Sequence, residues 1–187
     1  MRVLVACEFS GIVRDAFIRR GHDAMSCDLL PTETPGPHYQ GDVLDILGDG
    51  WDLMIAHPPC THLSCSGAKH FHKKKLLQDD AIAFFYAMLN APIPRIAVEN
   101  PVGVISTRLT KPSQIIQPYQ FGDEAQKTTC LWLRWLTLLV PTNIVGKGEF
   151  HVCPSGKTLP KWYVGASAHE RSRTFKGIAN AMADQWG

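Results

Sequence analysis

Val3-Leu4-Val5-Ala6-Cys7, followed without a break by Glu8-Phe9-Ser10-Gly11, is the stretch that decides the reading of this chain. Five apolar residues in a row have no helical period and are too few for a helix, so they read as a buried strand. A turn ending at Gly11 then opens a segment in which Ile12, Val13, Ala16 and Phe17 share one helical face, until Gly21 stops it. The same alternation continues outward. Residues 24–27 form a second short strand ending on Asp28, and 31–38 hold Pro31, Pro35, Gly36 and Pro37 and read as a loop. Residues 53–56 form a third strand, leading into His57-Pro58-Pro59-Cys60. A helix over 76–89 buries Ala81, Phe84, Phe85, Met88 and Leu89, and a fourth strand over 95–98 ends on Glu99-Asn100-Pro101. Connections of this length allow crossovers, so the expected fold is α/β, a mostly parallel sheet with helices on both faces.

Beyond Gly103 the pattern changes. Residues 115–121 and 128–133 read as an antiparallel edge pair, 141–172 as an extended basic loop region, and 175–186 as a helix burying Ile178, Ala179, Met182 and Trp186. The 187 residues suit a single domain over 1–187. With 45% apolar and 19% charged residues, the composition excludes disordered, collagen-like and coiled-coil chains. The longest apolar stretch, 131–140, is interrupted by Arg134 and is far short of the roughly 20 residues that cross a bilayer. Val3 to Cys7 is likewise too short for a signal-peptide core, so the expectation is a cytoplasmic protein with no membrane partner and its six cysteines reduced.

The formal net charge is only +2, but it is unevenly spread. Residues 147–176 hold Lys147, Lys157, Lys161, Arg171, Arg173 and Lys176 against Glu149 and Glu170. Trp162, Tyr163 and His169 are interleaved among them, a pattern that suits stacking on bases beside phosphates as well as simple loop anchoring. Lys69, Lys73, Lys74 and Lys75 beside His70 and His72 form a second cluster, either a solvated helix start or a phosphate-facing rim.

Ligands of open parallel sheets bind beyond the carboxyl ends of the strands. Glu8-Phe9-Ser10-Gly11, Asp28, Pro58-Pro59-Cys60 and Glu99-Asn100-Pro101 all fall at such ends. A thiol and a carboxylate on neighbouring strands, beside a glycine turn, have the makings of an active site. These segments carry a resemblance. Phe9-Ser10-Gly11 resembles the cofactor loop of the cytosine 5-methyltransferases, and Gly41-Asp42-Val43-Leu44-Asp45-Ile46 is similar to that family's adenine-contacting segment. Asp52-Leu53, Pro58-Pro59-Cys60 and Leu63-Ser64 followed by Gly67 resemble its catalytic loop, P-P-C-Q-x-F-S-x-x-G, and Glu99-Asn100 resembles its E-N-V motif. Phe121-Gly122 with Gln126 resembles the start of a later segment, in which Thr128 and Cys130 stand where the family has arginines. The closing 177–182 stretch is loosely similar to the family's last helix. No room remains for a target-recognition domain, as in the short methyltransferase-like proteins of bacteriophages.

The resemblance implies a Rossmann-like methyltransferase using S-adenosylmethionine, acting on cytosine in DNA within a host cytoplasm. Cys60 would attack carbon 6 as a thiolate, activated by backbone amides of the turn that follows the strand. Glu99 would be held protonated or share a proton with the ring nitrogen, Asn100 would orient the loop, and Pro59 would belong to the catalytic turn. Phe9, Ser10, Gly11 and Pro58 would flank the cofactor, Ser10 and Gly11 allowing close backbone approach, while Asp28 takes its ribose and Asp42 its adenine amine. Lys127, Arg134 or the basic loop would replace the missing arginines, and Lys127, Lys157, Lys161, Arg171 and Arg173 are the expected nucleic-acid contacts. Free cytosine nucleotide as substrate, or a cofactor-dead module binding nucleic acid or a host or phage protein, are the alternatives. His57, Cys60, His62, Cys65, His70 and His72 are dense enough to suggest zinc, but they contain no C-x-x-C pair, so no metal is expected.

Overall fold

The computed structural model describes residues 1–65 and 75–187, and the basic cluster at Lys69, His70, His72, Lys73 and Lys74, with Gly67, lies outside them. The architecture is a seven-stranded mixed sheet between two helical layers. In chain order its first half runs β1 (Arg2–Ala6), α1 (Ile12–Arg19), β2 (Asp23–Asp28), β3 (His38–Gln40), β4 (Leu53–Ala56), α2 (Lys75–Leu89) and β5 (Arg95–Pro101). The second half runs α3 (Ile105–Arg108), β6 (Gln114–Ile116), β7 (Thr129–Arg134), β8 (Phe150–Val152), β9 (Thr158–Pro160), α4 (Ala168–Ser172) and α5 (Lys176–Trp186). The sheet order is β3-β2-β1-β4-β5-β7-β6, in which β7 runs antiparallel to both neighbours and the other strands are parallel. Through its first five positions this is a doubly wound order, and the topological switch falls between β1 and β4.

Alternation along the strands explains the two layers. Val3, Val5, Leu53, Ile55 and Ala97 face α1 and α5, against Val13, Phe17, Ile178, Met182 and Trp186. Leu4, Ala6, Met54, Ala56, Ile96 and Val98 face the other way, toward Phe85, Met88 and Trp132. Each of the larger aliphatic side chains and Phe or Met among them contributes about 1.5–3 kcal/mol by leaving water, so a slip in register, which would turn them to the other face, is strongly disfavoured.

Four expectations change. The loop foreseen over 31–38 gives way at His38 to β3, a strand of three polar or aromatic residues with no alternation to announce it. It is held where the His38 ring bridges Ser26 Oγ (2.8 Å) and the Leu30 carbonyl (3.0 Å). The strand foreseen over 115–121 is only Gln114–Ile116, because Pro118 starts a single 3-10 turn. β5 runs on through Glu99 and Asn100 to Pro101, because β7 pairs with it to the end. The 141–172 segment is not plain loop: it contains the β8–β9 hairpin, a 3-10 turn over Lys161–Tyr163, and α4 with a Ser167–Glu170 capping box. No helix among the described residues is long and apolar enough to cross a membrane.

Candidate active site

At the switch point the carboxyl ends of β1, β4 and β5 open into a cleft of about 140 Å³. Its sheet-side wall is Cys7 to Ser10, His57 to Cys60, and Glu99 to Pro101, and its outer wall is Lys127 with Arg171 to Thr174. A second cleft, of about 160 Å³, adjoins it and is lined by Cys27, Asp28, Leu29, Gly41, Asp42, Val43 and Phe84. Cys7 and Pro59 line both. Cys7 makes this junction by adopting a left-handed conformation (φ 57°), which turns the chain off the end of β1.

Glu99 and Asn100 are adjacent in the last residues of β5 and therefore point to opposite faces. Asn100 is buried and donates to the Pro58 carbonyl (2.7 Å), which ties the end of β5 to the Pro58-Pro59-Cys60 turn. Glu99 Oε2 meets His57 Nδ1 at 3.5 Å. Burial pushes the Glu99 carboxyl up, but the His57 hydrogen bond and the charges of Lys127 and His57 outweigh it, so its net shift is downward. This direction runs against a Glu99 held protonated in the empty site and leaves open the other expectation, a proton shared with the ring nitrogen. The expected thiol activation is corrected too. Desolvation first, then the negative charge of Glu99, raise the Cys60 thiol above its ordinary range, and Lys127 and the backbone offset this only in part. The two shifts run in opposite directions, the thiol up and the carboxyl down.

The outer wall is a strap. Lys127 Nζ donates to the carbonyls of Arg171 (3.0 Å) and Arg173 (3.3 Å). Arg173 forks onto Glu33 (2.9 and 2.6 Å), His169 Nε2 donates to the same carboxylate (2.6 Å), and the His169 ring stacks on Phe9 at 4.3 Å. The Arg171 guanidinium lies over Tyr163 at 4.4 Å. Of the basic residues singled out from sequence, Lys127, Arg171 and Arg173 thus line the cleft. Lys157 lies out in the turn of the β8–β9 hairpin and Lys161 opens the 3-10 turn that follows it, paired with Glu149. Arg134 is at the opposite end of the sheet, its guanidinium spent on the Leu89, Ala91 and Ile93 carbonyls, and cannot replace a missing arginine. Cys130 is buried in β7 with its thiol pushed up to about 11 by burial and then by Glu99, while Thr128 accepts from Gln117.

In the second cleft Asp28 and Asp42 each spend one carboxylate oxygen on a backbone N–H two residues on, Leu30 (2.9 Å) and Leu44 (3.0 Å). Asp42 also begins a 3-10 turn. The other oxygen of each meets no partner among the described residues, and Leu29, Val43, Phe84 and Pro59 supply apolar walls. Two acceptors flanking an apolar slot fit the ribose hydroxyls, amino group and flat ring of an adenosine. Phe9, Ser10 and Pro58 line the adjoining cleft. Gly11 lines neither. Its φ is 74°, and a Cβ there would strike Thr34 Oγ1 and the Arg14 guanidinium, so this glycine serves packing of the 31–37 loop and not backbone approach to a ligand. The buried Arg14, bonded to Ser26, Thr32 and Thr34, holds that loop.

Two features escaped the sequence reading. Glu8 is buried at the start of α1, accepting from Val13 N (2.7 Å), Arg14 N (3.3 Å) and Ser10 Oγ (3.1 Å). An acid one residue before a turn and helix was the available signal. His57, weighed only as a zinc ligand, instead faces Glu99. Among the described residues no three His, Cys, Asp or Glu side chains converge as a metal site would require.

No family model matches the chain, and no curated protein does. Solved structures do match. One is the crystal structure of an E. coli protein provisionally named a DNA modification methyltransferase encoded within a prophage. It is 13% identical, with a TM-score of 0.49 over 78% of this chain and 52% of the other, so the chain spans about half the length of that protein.

Proposed function

We propose that the protein transfers a methyl group from S-adenosylmethionine to the 5-position of cytosine, in DNA, through a covalent bond between Cys60 and carbon 6. The observation that carries this reading is the pair of adjoining clefts at the switch point. One holds a thiol and a carboxylate, the other two aspartates around an apolar slot, and Cys7 and Pro59 are common to both. S-adenosylmethionine would supply an electrophilic methyl carbon to the junction. Asp28 and Asp42 would hold its adenosine, Phe9, Ser10 and Pro58 its other end, and Asn100 would keep the Cys60 turn in register. Glu99 would face the cytosine ring nitrogen and relay to it the proton that the Cys60 thiol gives up as sulfur bonds to carbon 6, so the thiol proton ends on the ring nitrogen and Glu99 ends as it began. Lys127, Arg171 and Arg173 would face the phosphate.

A 5-fluorocytosine oligonucleotide tests the chemistry, since fluorine at carbon 5 cannot leave as a proton and the adduct is trapped. With cofactor present, wild-type protein should gain the mass of the oligonucleotide on Cys60. Cys60→Ser should lose adduct and methyl transfer together while keeping cofactor affinity. Methylation by Cys60→Ser would overturn the mechanism. The small number of cations at the cleft, one of them already paired to Glu33, favours a second reading, a free cytosine nucleotide. Tritiated transfer to duplex DNA, single-stranded DNA and deoxycytidine monophosphate in parallel separates the two.

A further inference from the structure

We infer that Arg173 and His169 form an anion subsite at the rim of the cleft, which Glu33 fills in the absence of substrate and which the phosphate of a cytosine nucleotide, free or within DNA, takes over on binding. The inference deepens the methyl-transfer reading, on which it rests for the cytosine, by naming where the phosphate goes and what it displaces.

The Glu33 carboxylate gathers N–H groups from two side chains of the strap. Arg173 donates from Nε to Oε2 (2.9 Å) and from Nη2 to Oε1 (2.6 Å), and His169 Nε2 donates to Oε1 as well (2.6 Å). A guanidinium fork fits a pair of oxygens whether carboxylate or phosphate presents them, so the carboxylate has the shape of the ligand it would precede. The contact is not a neighbour effect. Glu33 comes from the loop between β2 and β3, 136 and 140 residues away from its two partners, and its own N–H donates to the Phe9 carbonyl (2.8 Å). Phe9 and Arg173 both line the cleft, and the His169 ring stacks on Phe9, which puts the fork at the cleft's rim. Solvent reaches all three side chains: Glu33 is 29%, Arg173 37% and His169 48% exposed. An ion pair so exposed is weak and therefore exchangeable. A phosphate monoester carries more charge than a carboxylate at neutral pH, and Lys127 and Arg171 add positive charge on the same wall. Lys127 also bonds the Arg171 and Arg173 carbonyls, a tether on the strap that does not depend on Glu33.

Proton–nitrogen NMR titration without cofactor tests this, reading the Arg173 Nε–H and His169 ring signals as inorganic phosphate is added at constant ionic strength. In the wild type both should shift together and saturate; signals that do not move overturn the proposal. Glu33→Gln removes the competitor and should tighten phosphate binding about two- to fivefold, the change that an exposed ion pair corresponds to. Glu149→Gln frees Lys161 from a similar pair outside the cleft, makes the same change in net charge, and should leave the affinity as it was. Weaker or unchanged binding in Glu33→Gln would mean that Glu33 only orients Arg173, and equal tightening in both variants would be an effect of net charge; either result overturns the subsite. Deoxycytidine monophosphate and a short cytosine oligonucleotide, titrated into the same proteins, separate the two sources. The ligand that tightens in Glu33→Gln is the one whose phosphate uses the fork, and tightening of neither refutes the substrate role. Should inorganic phosphate and a nucleotide behave as expected while no methyl transfer occurs, the subsite stands and the proposed reaction falls.

Discussion

The two walls of the cleft are built in opposite ways. The sheet-side wall is made of strand ends whose positions follow from buried register: Val3 to Ala6, Leu53 to Ala56 and Ile96 to Val98 are all fully buried. The outer wall, residues 167–174, has no buried residue and is held by Lys127, by Glu33 and by a ring stacked on Phe9. The difference separates two jobs. Groups that must meet reacting atoms sit on the rigid wall, whereas groups suited to phosphate sit on a wall that a modest change in charge can release.

The contrast is broken most severely by crowding the rigid wall. Gly103 lies where the chain leaves β5 and bridges to Ser64, and a Cβ there would come within 2.1 Å of the Leu63 carbonyl. Because the obstacle is backbone, Gly103→Ala should lower stability by about 1–3 kcal/mol and displace the catalytic turn, reducing fluorocytosine adduct formation. Gly146, in the connection between β7 and β8 and outside both walls, has nothing within 4 Å of its notional Cβ, and Gly146→Ala should leave both unchanged. Equal denaturation midpoints for the two variants would mean that the rigid wall is not crowded at Gly103.

Asn100→Ala comes next. It deletes the bond to the buried Pro58 carbonyl, which should lower stability by about 1–2 kcal/mol and slow the Cys60 reaction more than it weakens cofactor binding. Urea unfolding and calorimetric titration with the cofactor's demethylated product read the two effects separately. A loss of cofactor affinity without loss of adduct rate would place Asn100 in the wrong cleft.

How much of this was legible in the sequence follows the same division. Runs such as Val3 to Cys7 and the stripe of Ile178, Met182 and Trp186 announce strands and a helix because burial alone fixes their pattern. The strand-end residues Asp28, Cys60, Glu99 and Asn100 could be picked out because polar or reactive groups directly after apolar runs are conspicuous. The strap could not. Its geometry depends on Glu33 meeting His169 and Arg173 more than 130 residues away, and no local propensity encodes that. The direction of the two shifts was not legible for a similar reason. Motif spacing put a thiol and a carboxylate together, but only the structure shows Glu99 beside His57 and Lys127, which draw its carboxyl down.

The strap gives the third prediction. Hydrogen bonds from Arg173 hold the Glu33 carboxyl below its ordinary range, with burial opposing and His169 adding to the shift. A depressed carboxyl contributes stability that is present above its ordinary value of 4.5 and disappears as pH falls through the lower folded value. Hydrogen exchange in residues 167–174, corrected for intrinsic rates, should therefore accelerate as pH drops below the ordinary carboxyl range, while β1 and β4 remain protected. Glu33→Gln should show the fast exchange already at neutral pH. Strap protection unchanged in that variant would mean that Lys127 and the Phe9 stack suffice to hold it.

The smallest effect is expected at Lys157 and Lys161, and it bears on the substrate. Both are exposed, Lys157 in the β8–β9 hairpin and Lys161 just after it, and Lys161 already pairs with Glu149 on the surface, so neither substitution by alanine should move the unfolding midpoint measurably. Their contribution, if the hairpin follows a phosphate backbone, lies in salt dependence. Each phosphate neutralised on duplex DNA adds about 0.9 to the slope of log affinity against log salt, so the double variant should flatten that slope by close to 2. A free nucleotide monophosphate seated in the Glu99 cleft has its one phosphate beside the cleft cations, and neither lysine lines that cleft, so its affinity should be the same in wild type and variant. An unchanged DNA slope would confine nucleic-acid contact to Lys127, Arg171 and Arg173 at the cleft itself. Three cations, one of them already committed to Glu33, would then suit a single cytosine nucleotide better than a duplex.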